Sequence, residues 1–235
     1  MTMKRLFLLA ATVLAAIAAN AQYAPGTLSI QPKLGTSIAT LSNAPDVQFD
    51  HHVGSIKSNP NSGAFVGVEL EYQATRWLGL TAALNYTGQG CAWENYKFKE
   101  DGVKFEGYNN KLDLGYINLP VVANFYVWKG LALKTGVQFG FLTNAHVVSS
   151  LKSDVKMGDT KIYTNVDTRT NIRKDCRKFD IAIPIGLSYE FKRHIVLDAR
   201  YNIGLLTVNE EDDSDDPARN GVFQLTLGYK FKLKK

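Results

Sequence analysis

The chain has 235 residues, of which 45% are hydrophobic and 21% charged, and its 27 Lys and Arg against 22 Asp and Glu give a formal net charge of +5. That balance is too even to argue for a nucleic-acid partner. Two cysteines, Cys91 and Cys176, cannot staple a chain of this length, and without paired CxxC spacing they exclude a zinc ribbon.

Residues 1–21 read as a cleavable export signal and residues 22–235 as one domain. Lys4 and Arg5 form the charged start, residues 6–18 the apolar run, and Ala19-Asn20-Ala21 the small-x-small cleavage pattern. The apolar run is too short to cross a bilayer as a helix, which takes about 20 residues. The 214 residues left after the first 21 carry 25 basic and 22 acidic side chains and no apolar run of that length. This excludes an α-helical membrane protein. It leaves open a β-barrel, whose strands need only about 9–11 residues each.

Eight segments alternate apolar and polar residues with period two: 27–40, 64–72, 78–87, 111–127, 131–144, 179–191, 195–206 and 221–233. The connections after odd segments are long (41–63, 88–110, 145–178, 207–220), and those after even segments are short (73–77, 128–130, 192–194). The expected fold class is therefore all-β, an eight-stranded antiparallel transmembrane barrel with long extracellular loops and short periplasmic turns. Tyr72, Trp77, Tyr126, Trp128, Tyr189, Phe191, Tyr229 and Phe231 gather near the short turns and the C-terminal end, where an aromatic girdle is expected. Residues 96–106 alternate around Asp101-Gly102, and 156–166 around Gly158-Asp159, so both are expected to prolong strand pairs beyond the membrane. A ten- or twelve-stranded count competes, but these pieces are short and charged and lack a continuous apolar face.

The alternation also assigns an inward face. Its charged members are Lys33, Glu69, Glu71, Lys134, Asp180, Glu190, Asp198, Arg200 and Lys230, four positive and five negative. Paired charges are tolerated in a low-dielectric interior where isolated ones are not, so the set reads as a network plugging the lumen. A narrow ion path is the alternative.

Catalysis finds little support. His51-His52 and His146 lie in loops and His194 in a short turn, with no GxSxG-type nucleophile motif beside them. Adjacent imidazoles at 51–52 read as solvated rather than metal-binding. The acidic run 210–216 lacks the glycine and spaced ligands of an EF-hand. No cofactor is expected. Cys91 and Cys176 fall just beyond the third segment and just before the sixth, both on the extracellular side. A loop-to-loop disulfide and two free thiols are the two alternatives there.

The segments YINLPV (116–121), WKGLALKTGVQFGF (128–141), FDIAIPIGLSYEF (179–191) and VFQLTLGYKF (222–231) together resemble the PorT-like outer-membrane β-barrel family. The resemblance implies an outer-membrane protein of eight antiparallel strands, assembled by the barrel-insertion machinery and surrounded by lipid and lipopolysaccharide. One branch of that family is associated with protein secretion, so envelope or secretion-system proteins are candidate partners. The expectation is a non-enzymatic barrel with a filled lumen and recognition loops. The alternatives are a secretion-system accessory component, a small porin and a soluble secreted ligand-binding barrel, which would turn its apolar face inward.

Overall fold

The computed structural model describes residues 23–43, 47–49, 54–56, 58–100, 103–157, 160–191, 194–209 and 217–234. The export segment 1–21, His51-His52 and the acidic run 210–216 lie outside the described residues. The strands in chain order are β1 (Leu28–Ser42), β2 (Val47–Phe49), β3 (Gly54–Ile56), β4 (Ser58–Gln73), β5 (Leu78–Trp93), β6 (Tyr96–Glu100), β7 (Val103–Trp128), β8 (Leu131–Met157), β9 (Thr160–Asn171), β10 (Phe179–Glu190), β11 (Ile195–Thr207), β12 (Arg219–Tyr229) and β13 (Phe231–Lys234).

Eight of them close a ring. Its order is β1-β4-β5-β7-β8-β10-β11-β12 and back to β1, every pair antiparallel. Closure removes the free edges that an open sheet would expose, and unpaired backbone groups are costly in lipid. β13 continues the last strand past Lys230 and pairs with β1. β6 and β9 stay outside the ring as hairpin partners of β7 and β8, so the barrel has eight strands, not ten or twelve. β2 and β3 form a separate two-stranded sheet in the first long connection.

The barrel is inside-out. Leu34, Val66, Val121, Ile185 and Leu227 point outward and are exposed, Leu34 by 68%. Gln31, Asn85, Asn118, Gln138 and Gln224 on neighbouring strands are buried. Water would penalise such an outer face, whereas hydrocarbon favours it. The soluble-barrel alternative needs the opposite arrangement and is overturned.

At the short-turn end, Tyr72, Trp77, Trp128, Phe191, Tyr229 and Phe231 are exposed, as a headgroup-level belt requires. Tyr126 is a correction: it is only 4% exposed and points into the lumen. The turn between β7 and β8 takes Gly130 at φ 83, a conformation glycine adopts without a Cβ penalty. Within β8, a Cβ at Gly136 would stand 2.0 Å from the Val121 carbonyl oxygen, so only glycine lets β7 approach there.

On the opposite side β7 and β8 run on to 26 and 27 residues. A crossing takes about 9–11, so both continue well beyond the outer membrane surface. There they pair with β6 and β9 into a four-stranded extracellular sheet, β6-β7-β8-β9.

Candidate functional site

The nine inward charges are all buried, and they divide into two clusters and one isolated residue. The first cluster lies at mid-lumen. Lys33 Nζ on β1 is 2.9 Å from Glu69 Oε1 on β4 and 3.3 Å from Asp198 Oδ2 on β11. Lys134 on β8 reaches the same two carboxylates at 3.5 Å and 2.5 Å. Arg200 Nη2 donates to Glu69 Oε1 at 2.9 Å and to Asp198 Oδ2 at 3.1 Å. Three cations thus surround two carboxylates.

The second cluster sits toward the short turns. Lys230 Nζ is 3.2 Å from Glu71 Oε2 and 3.4 Å from Glu190 Oε2. Asn124 Nδ2 donates to Glu71 at 2.9 Å, and the Tyr126 hydroxyl donates to the same carboxylate. Tyr23, just before β1, donates to Glu190 Oε1 at 2.7 Å, and its hydroxyl is 2.9 Å from His194 Nδ1. Burial and the Glu190 carboxylate push the Tyr23 phenol well above its ordinary value. Here one cation faces two carboxylates, opposite in sign to the surplus at mid-lumen.

Asp180 joins neither cluster. The Asn220 amide donates to its Oδ2 at 3.2 Å, and among the described residues it has no ion-pair partner. Above it the bore is closed by apolar packing. Leu41, Cys91, Leu112, Leu114, Tyr116, Leu142, Ala145, Cys176 and Val208 form one buried cluster, with Trp93, Val147 and Ile172 against it. Both thiols in it are free. Burial pushes Cys91 up to about 11 and raises Cys176 as well, so neither is an activated nucleophile.

Tyr23, Asn124 and Tyr126 join the second cluster without having been singled out for the lumen in the sequence, and His194, exposed at the short turn, reaches it from outside the bore. Tyr126 has the same parity as Asn118 and Asn124, and that signal outweighs its nearness to a turn. Tyr23 lies ahead of the first alternating segment and has no periodicity to read.

Of the other histidines, only His146 lies among the described residues. His146 Nδ1 is 3.4 Å from Arg169 Nη2 on the exterior. Among the described residues no group of three or more His, Cys, Asp or Glu is placed to hold a metal ion.

Outside the membrane, the four-stranded sheet carries a groove of about 720 Å³. Two transverse rows of directly paired residues line it. One is Lys97, Glu106, Lys152 and Asn165; the other is Lys99, Lys104, Asp154 and Tyr163.

A closed antiparallel ring with an apolar exterior, an aromatic belt and a charged bore defines a transmembrane barrel of the outer-membrane type. The chain belongs to the outer membrane protein beta-barrel domain family, whose sequence profile matches residues 20–209. Its place is the cell outer membrane, in lipid and lipopolysaccharide. No curated protein matches the sequence. Among solved structures it is similar to the attachment invasion locus protein Ail of Yersinia pestis, at 14% identity over 88% of this chain and 99% of that one, with a TM-score of 0.41. It is also similar to neisserial surface protein A, at 15% identity over 87% and 97%, TM-score 0.42. A third similar structure is the outer membrane protease OmpT of Escherichia coli, at 10% identity over 92% and 100%, TM-score 0.33. At these scores none of them bears on activity.

Proposed function

We propose that the protein is a non-enzymatic outer-membrane barrel whose bore is plugged and whose extracellular strands serve recognition at the cell surface. The observation that carries this reading is the double seal of the bore. Eight charged side chains neutralise one another in two clusters, and an apolar cluster closes the lumen above Asp180. A porin would have to break both. What remains for contact with the surroundings is the extension built by β6 to β9. In this reading residues 1–21 are removed on export, and N-terminal sequencing of the envelope protein should begin at Gln22. Affinity purification from the native envelope, with and without deletion of residues 96–106 and 147–170, tests the main claim. Partners should be lost with the hairpins while the barrel still inserts. Partners retained by the truncated barrel would overturn it.

The resemblance of segments 116–121, 128–141, 179–191 and 222–231 to PorT-like barrels supports a second reading, an accessory component of a secretion system. Copurification with envelope secretion proteins, and secretion loss on gene deletion, would favour it.

A further inference from the structure

We propose that the lysine-bearing face of the extracellular β6-β7-β8-β9 sheet binds an anionic glycan. The proposal rests on the surface-recognition reading above and names the class of partner.

The register places Lys99 directly opposite Lys104. Like charges in directly opposed cross-strand positions destabilise a sheet. Among the described residues neither lysine has an ion-pair partner. Asp154 stands directly opposite Lys104 but forms no ion pair with it. Glu106 is already engaged by Lys97 at 3.0 Å. Lys152 lies over the Tyr108 ring at 4.3 Å, and Tyr108 donates its hydroxyl hydrogen bond to Asn165 Oδ1 at 2.8 Å. Four lysines against two carboxylates leave the face positive, and an anion bound between Lys99 and Lys104 would relieve their repulsion.

The spacing favours a chain of anionic groups over a single ion. Neighbouring strands lie about 4.8 Å apart, and same-face residues along a strand about 6.8 Å apart, so the cations sit on a grid of that pitch. Sugar units bearing a carboxylate, sulfate or phosphate present charges at comparable intervals. One further feature selects a glycan over an acidic peptide. Tyr163 is 70% exposed at the end of the Lys99–Lys104 row and offers its ring face to a sugar.

The test uses the full chain in lipid nanodiscs and follows binding to immobilised dextran sulfate, neutral dextran, poly-L-glutamate, chondroitin sulfate and delipidated polysaccharide from the native outer membrane. Dextran sulfate should bind, neutral dextran should not, and affinity should fall as salt rises from about 50 to about 300 mM. Lys99→Gln with Lys104→Gln should weaken binding about tenfold, Tyr163→Ala several-fold, and Lys174→Gln, outside the groove, should leave it unchanged. Stronger competition by the native polysaccharide would assign the ligand to the cell's own envelope, and stronger competition by chondroitin sulfate to a foreign surface. Equal binding of poly-L-glutamate, equal loss in Lys174→Gln, or no binding at all overturns the proposal. Heat-modifiable mobility on gels confirms that each variant is folded. Protease cleavage near 158–159 on intact cells separates the two failures. Cleavage without glycan binding fails this proposal alone, and protection from cleavage fails the surface reading as well.

Discussion

Arg200 and Glu69 stand 131 positions apart in the chain, yet Arg200 Nη2 meets Glu69 Oε1 at 2.9 Å across the bore. The same guanidinium nitrogen holds Asp198 Oδ2 at 3.1 Å, so one side chain ties two walls of the barrel together. Arg200 is only 2% exposed.

Removing that cation should therefore be expensive. Lys33 and Lys134 would still balance Glu69 and Asp198. The cost is that of two buried hydrogen bonds between charged groups and of the space left by the side chain, about 3–5 kcal/mol. Arg200→Ala should lose that much in urea titrations of the refolded barrel, with the folded fraction read from gel mobility. Arg200→Lys keeps the charge but loses the planar fork, and should lose less. A loss below about 0.5 kcal/mol for Arg200→Ala would mean that water reaches the cluster freely.

The inward placement of the charged residues follows from the two-residue period of a strand, so it was legible before any coordinates. Which of them meet was not. Glu69 and Glu71 share a face of β4, yet one joins Arg200 and the other Lys230, because strand stagger sets the partners and no local pattern reports it. The pairing of β6 with β7 is legible from the Asp101-Gly102 pair in the sequence, which itself lies outside the described residues. The length of β9 and the two charged rows across the extracellular sheet are not, because they arise from registers between β6, β7, β8 and β9. The alternation predicts one continuous last strand over 221–233. It is interrupted at Lys230, whose backbone N–H donates instead to the His194 carbonyl at 2.9 Å.

The bore should not conduct. In planar bilayers the purified protein is expected to show no stable large conductance, because ions would have to displace the mid-lumen cluster and then the apolar packing around Leu114 and Tyr116. Reproducible large channels from the unmodified protein would refute the plug.

The topology predicts accessibility. Epitope tags at Asp101, Asp159 or Asp213 should be detected on intact cells. A tag at Lys129, beside the Gly130 turn, should be detected only after the outer membrane is opened. Labelling at Lys129 on intact cells would invert the barrel.

Cys91 and Cys176 supply a test of the apolar closure itself. Both are buried in one cluster with Leu112, Leu114 and Tyr116, and both are free. With Cys91 pushed up to about 11, its thiolate is scarce at pH 8, roughly one part in a thousand. Iodoacetamide should therefore modify the folded barrel very slowly at pH 8, and faster as pH rises toward 11. A folded-state value above the ordinary thiol value means that the neutral form is favoured in the fold. The associated stabilisation is present below about pH 8.5 and is lost as pH rises through 11. Denaturing the protein without reductant should expose both thiols and give two alkyl adducts by mass. No adducts would instead establish a disulfide joining the second and third extracellular loops. Rapid labelling of the folded barrel at pH 8 would show that the extracellular end of the bore is open.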